Sequence, residues 1–280
     1  MSRHPHLVSA ESQQPLRDAA VFVILTFGIA GAVYLPLLAE GWGWIDLALP
    51  QGMVIVGVMS PGIATVLIRL YDDGLDGVRS VFGGLTAWRF GRFWWGVALA
   101  LPVASALGLA GGVIALGQDF SPEPIRIVSE AGAGFVLLIL VRLVTAAGEE
   151  IGWRGHLLPL LQARLGALNA SLVIGVIWGV WHLPLLIGNG VEGPIIALRL
   201  VSIFGGAVMF TWLFNNTGGS VLAVTLLHAG NNIWGSLLAT SPTVQPAATV
   251  FTAENLLLAV VLIALYGGAT LTDRRRLSSR

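Results

Sequence analysis

GFVLLILVRLVTAAGEEIGWRGH, residues 134–156, decides what kind of protein this chain is. It opens as a run of apolar residues of the sort that crosses a bilayer as helix, and it closes on two adjacent glutamates and an arginine. A soluble domain would solvate such charges at a surface. A lipid-embedded one must neutralise them, point them at a cavity, or keep them at the interface.

The rest of the chain selects the membrane setting. Of 280 residues 55% are hydrophobic and only 11% charged, and the mean hydropathy is +0.82, a balance outside that of ordinary soluble domains. Eight apolar stretches, roughly 19–39, 49–70, 93–117, 132–152, 169–188, 194–214, 219–239 and 253–272, each approach the length of a membrane-crossing helix. The fold expected is therefore all-α: a polytopic membrane helix bundle of about eight transmembrane helices. A polar tail, 1–18, precedes a single transmembrane domain, 19–272, and a basic tail, 273–280, follows it.

All fifteen basic residues are arginine, and their placement orients the bundle. With the N-terminus inside, cytoplasmic segments hold twelve of them, Arg154 and Arg164 included, against Arg126 alone outside. Both termini are then cytoplasmic and the protein is a multi-pass component of the cytoplasmic membrane. Cysteine is absent, which excludes disulfides, thiolate metal sites and cysteine nucleophiles. A formal net charge of zero gives no polyanion-binding surface, so nucleic acid is not an expected partner.

Few polar groups lie inside the spans, and those few carry the functional argument. Glu150 and Arg154 are spaced i,i+4 and form a helix-surface ion pair. Glu149, turned about 100° from Glu150, is left free to face a cavity as a general base. In span five, Trp178 and His182 share a face, so the indole walls the imidazole. In span seven, His228 and Asn232 share a face, with Asn231 read as turned away. A carboxylate, an imidazole, and an imidazole with a carboxamide are the parts of a hydrolytic site. Neither a G-x-S-x-G elbow nor an H-E-x-x-H helix is present. Arg142, two helical turns before Glu149, either receives a substrate carboxylate or pairs with a glutamate. Arg199 reads as snorkelling at the outer end of span six.

Glu149, Glu150 and Arg154 match EExxxR, His182 matches the histidine of FxxxH, and His228 with Asn232 match HxxxN. In this order on separate helices, over about residues 130–240, they resemble the CPBP family: CAAX proteases, bacteriocin-processing or immunity proteins and the type II CAAX-prenyl endopeptidases. One departure is Trp178, where the family has phenylalanine. The resemblance implies an intramembrane endopeptidase acting on a membrane-associated or lipidated protein or peptide. Glu149 and His182 would activate water, His228 and Asn232 would form the oxyanion hole, and Glu150, Arg154 and Trp178 would support them. No cofactor is required on this reading; in a metallo-type variant the same Glu149, His182, His228 and Asn232 would hold a divalent ion such as zinc. The rival expectations are a non-catalytic membrane binding or bacteriocin-immunity protein, and a proton-coupled transporter. One mismatch follows from the span boundaries: Glu149 falls near the cytoplasmic face, whereas His182 lies about 20 Å along its helix from that face.

Overall fold

A computed structural model describes residues 5–118, 130, 132–237 and 245–272, and the side chains among these except those of 5–13 and 51. Arg126 and the basic tail 273–280 lie outside the described residues. Every regular element described is helical: α1 (Pro5–Gly41), a 3-10 turn (Gln51–Met53) leading into α2 (Val54–Val58), α3 (Ser60–Gly83), α4 (Arg92–Ala115), α5 (Ala133–Gly152), a π-helical turn (Trp153–Leu157), α6 (Leu158–Gly188), α7 (Gly193–Asn216), α8 (Val221–Leu237) and α9 (Ala247–Tyr266). Helix α1 starts at Pro5, so much of the stretch read as a polar tail prolongs the first helix.

Side chains such as Leu107, Leu137, Leu257, Val260 and Leu265 are exposed on the outside of the bundle. An apolar exterior over internally bonded helices is what a hydrocarbon solvent demands. Five helical stretches among the described residues are long and apolar enough to cross a bilayer: Gln14–Gly41, Arg92–Ala115, Ala133–Gly188, Gly193–Asn216 and Ala247–Tyr266. The third joins spans four and five of the sequence reading in one helical run. Helix α3 carries Arg69, Asp72, Asp73, Asp76 and Arg79, and α8 has 17 residues. A polytopic helical membrane protein is thus supported, with eight crossings a finer statement than these five stretches make.

Neighbouring helices close a circuit in which α3 packs on α5, α5 on α8, α8 on α4, α4 on α9, α9 on α7, α7 on α6, α6 on α1 and α1 on α3. The crossing of α3 with α5 has no side chain between the backbones: a Cβ on Gly62 would lie 2.6 Å from the carbonyl oxygen of Gly148. Small residues at such crossings are how helices approach in lipid. Here the close approach seats the segment that ends in Glu149 and Glu150.

The charges at 149–154 do not end the helix. Glu149 is 5% exposed, and Glu150 and Arg154 are fully buried. Glu150 and Arg154 pair inside the bundle, and the chain continues through the π-helical turn and into α6, where the helical dihedrals break at Gly166 (φ 70). Arg154 is therefore not a cytoplasmic loop residue, which corrects its place in the arginine count. From Glu149 the helical path runs on for about 24 Å before Gly166, which removes the depth mismatch with His182. Beyond Gly166, the amides of Ala167 and Leu168 donate to the carbonyls of Ala269 and Gly268 at 2.8 and 2.9 Å, satisfying groups a helix start leaves open.

Candidate active site

The π-helical turn Trp153–Leu157 inserts its wider turn directly after the two glutamates. Such bulges recur at functional sites because they re-aim side chains that a regular helix would place elsewhere. Glu150 Oε1 accepts from Arg154 Nη1 at 3.0 Å, with both side chains at 0% exposure. The guanidinium lies between two aromatic faces, 4.7 Å from the ring of Trp178 and 4.7 Å from that of Phe210. Stacking on two rings compensates a buried cation that a single carboxylate oxygen does not fully satisfy.

His228 of α8 stands between the two glutamates. Its Nδ1–H donates to Glu150 Oε1 at 2.8 Å, and its Nε2 lies 3.9 Å from Glu149 Oε1. Adjacent residues that leave the helix about 100° apart thus meet the two nitrogens of one imidazole. The longer separation exceeds hydrogen-bond length, so another polar atom can be shared there.

Helix α6 supplies the remaining walls. The indole N–H of Trp178 donates to Glu149 Oε2 at 2.9 Å. This contact is specific to the departure from the family pattern, since phenylalanine has no donor. One turn on, His182 Nδ1–H donates to the Trp178 carbonyl at 2.8 Å, which leaves Nε2 with a lone pair. The His182 ring packs edge-on against Trp178 at 5.3 Å and Trp181 at 4.9 Å.

A cavity of about 90 Å³ is lined by Trp178, His182, Phe210, His228, Asn231 and Asn232, among others. It has room for a few waters or one small polar group. Glu149 stands one contact behind this wall, through Trp178 and His228. Direct contacts therefore join Glu149, Glu150, Arg154, Trp178 and His228, while the cavity joins Trp178, His182, His228 and Asn232. Arg142 stands apart: its Nη2 donates to Ser236 Oγ at 3.3 Å, and Ser236 in turn donates to the Asn232 carbonyl at 2.8 Å. It ties α5 to α8 beside Asn232, and no ion pair to a glutamate is seen for it among the described residues.

Three features escaped the sequence reading. Asn231 lines the cavity with Asn232: at three residues from His228 it is only about 60° off that face, less than the reading that turned it away allowed. Phe210, one aromatic among many, covers Arg154 from a different helix, and nothing local to it in sequence signals this. Arg199 is half-buried and lines the same cavity, with Nε and Nη1 buried, and the rule that an ionisable group inside a span is a functional candidate pointed to it.

One nitrogen of each histidine is held by a protein oxygen, which leaves the other with the lone pair a metal would take; among the described residues no group of three His, Asp or Glu side chains is placed to hold a metal ion.

Residues 131–234 match the family described as Type II CAAX prenyl endopeptidase Rce1-like. The window contains Glu149, Glu150, Arg154, Trp178, His182, His228 and Asn232. A curated relative, CAAX prenyl protease 2 of Methanococcus maripaludis, is 29% identical over 113 residues, covering 38% of this chain and 42% of the relative. The chain thus spans less than half the length of that relative.

Proposed function

From the premise that residues 131–234 are of the CPBP family of CAAX proteases, we propose that this protein is an intramembrane endopeptidase of the glutamate type. It hydrolyses a peptide bond of a membrane-associated or lipidated protein or peptide. The protein crosses the cytoplasmic membrane eight times with both termini cytoplasmic, and residues 130–240 form the protease core. The observation that carries the reading is the meeting of Glu149, Glu150 and His228 beside a cavity that also holds His182 and Asn232.

The chemistry follows from the hydrogen bonds. Trp178 fixes one oxygen of Glu149, leaving the other 3.9 Å from His228 Nε2, one contact behind the cavity wall that His228 forms. That oxygen takes a proton from water, and the Nε2 lone pair of His182 orients the same water, its Nδ1–H being held by the Trp178 carbonyl. Attack on the scissile carbonyl places negative charge on its oxygen. His228, donating through Nδ1 to Glu150 and in its imidazolium form also through Nε2, and the carboxamide of Asn232 receive that charge. Glu149 then returns the proton to the leaving amine. Glu150 and Arg154 hold His228 in register, and no covalent nucleophile takes part.

The test is purified protein in proteoliposomes, offered lipidated peptides and assayed by mass spectrometry for new termini. Cleavage at a defined bond supports the reading. Proton-coupled uptake without cleavage would assign the polar cluster to transport, and neither activity would leave a binding or immunity role.

A further inference from the structure

Helix α4 begins on a cation and continues as the floor of a groove. Arg92 is its first residue, and from there an exterior groove runs along Gly96, Ala100 and Ala104, walled by Trp212 of α7 and Leu258 of α9. The three small residues are spaced i,i+4,i+8 and share one helix face. All three are exposed, and a Cβ on Gly96 would meet nothing within 4 Å. Apart from the guanidinium, the lining is apolar.

Charge and length together indicate what covers this face. Arg69 pairs with Asp73, Arg79 with Asp76 and Arg154 with Glu150, and Arg89 lies over the Trp88 ring at 5.2 Å. Arg92, by contrast, is exposed and makes no ion pair among the described residues. It also stands at the helix end whose dipole favours an anion. Trp88, 57% exposed, marks the headgroup level beside it, where indoles gather. From Arg92 to Ala104 the groove follows α4 for about 18 Å, close to the roughly 15 Å of hydrocarbon in one leaflet. A cation at headgroup level above an apolar groove one leaflet long is the complement of a phosphodiester carrying an acyl chain. We propose that the groove seats an anionic phospholipid, its phosphate on Arg92 and one acyl chain along Gly96, Ala100 and Ala104. Such a lipid braces α4 against the helix that carries His228 and Asn232: on the opposite side of α4, Pro102 Cγ lies 2.7 Å from where a Cβ on Gly230 would stand. Lipid binding here does not depend on the endopeptidase reading.

The probes are phosphatidylglycerol and phosphatidylcholine with identical acyl chains, titrated onto the purified full chain in neutral detergent and counted as bound copies by native mass spectrometry. Wild type is expected to bind its first phosphatidylglycerol roughly fivefold more tightly than phosphatidylcholine, the effect of one arginine at a membrane surface, and to melt at a higher temperature in its presence. Arg92→Gln should bring the ratio close to one, whereas Arg89→Gln should leave it. Ala100→Phe, which fills the groove and leaves the charge in place, should weaken both lipids without lowering the melting temperature in lipid-free detergent. Equal affinity of wild type for the two lipids overturns the proposal, as does a preference that survives Arg92→Gln or binding unchanged by Ala100→Phe. A preference reduced as much by Arg89→Gln assigns it to diffuse surface charge. Tighter binding of a neutral lipidated peptide than of phosphatidylglycerol, lost in Ala100→Phe, assigns the groove to a substrate chain; either result overturns the phospholipid assignment.

Discussion

Replacing Arg154 by methionine leaves Glu150 without its arginine partner at full burial. The pair is bonded at 3.0 Å with both side chains at 0% exposure, and removing one member of such a pair costs about 3–5 kcal/mol. Methionine keeps much of the volume and can still contact the faces of Trp178 and Phe210 through its sulfur, so the loss reports charge more than cavity. Each kcal/mol lowers the melting temperature of a chain of this order by about 2–4 °C, which gives a fall of roughly 6–20 °C. Thermal unfolding in a single mild detergent, followed by tryptophan fluorescence, measures it. The decisive comparison is the double variant Arg154→Met with Glu150→Gln, in which no buried charge is orphaned and the new carboxamide oxygen at position 150 still accepts from His228. It should recover more than half of the loss. A single-variant loss under about 1 kcal/mol, or a double variant at least as unstable as the two singles added together, would refute the claim that these two charges neutralise one another inside the bundle.

Further outcomes follow from the same contacts. Trp178→Phe keeps a ring but removes the donor to Glu149 Oε2, so kcat/KM for a lipidated peptide should fall roughly tenfold with the melting temperature little changed; an unchanged rate would show that the indole N–H does not hold the carboxylate in its working position. Gly62→Val drives a side chain into the Gly148 backbone and should cost about 1–3 kcal/mol or more in thermal stability, with Gly96→Ala, where a Cβ meets nothing within 4 Å, as the control. Cleavage should persist after exhaustive chelation, because no group of three His, Asp or Glu side chains among the described residues is placed to hold a metal ion; loss on chelation and rescue by a divalent ion would require a rearranged donor set.

Much of the site could be read from spacing, because i,i+4 neighbours share a helix face whatever packs around them. Glu150 with Arg154 and Trp178 beside His182 are of this kind, and both are found in contact. What spacing cannot reveal is which helix face meets which. That His228 would sit between both glutamates, that Phe210 would cover Arg154, and that the indole of Trp178 would reach Glu149 depend on the approach of α5, α6, α7 and α8, made close in part by glycine contacts such as Gly175 of α6 on Phe204 of α7. Burial also reversed a local signal. Charge at 149–154 reads as the end of a span when water is assumed beside it, and as an interior network once the charges answer one another. Arg199 lies where the sequence put it, a turn and a half from the start of its helix, but its Nε and Nη1 are buried beside the cavity, which spacing along one helix does not reveal.

The central claim, that Glu149 activates the water that cleaves the peptide, is met most directly by the cleavage rate of purified Glu149→Gln protein beside wild type, on one lipidated peptide and at one protein concentration confirmed to be folded. The expected result is a fall in kcat of roughly 10²- to 10⁴-fold, the contribution of a positioned general base. A variant that cleaves the same bond within a few-fold of the wild-type rate would contradict it.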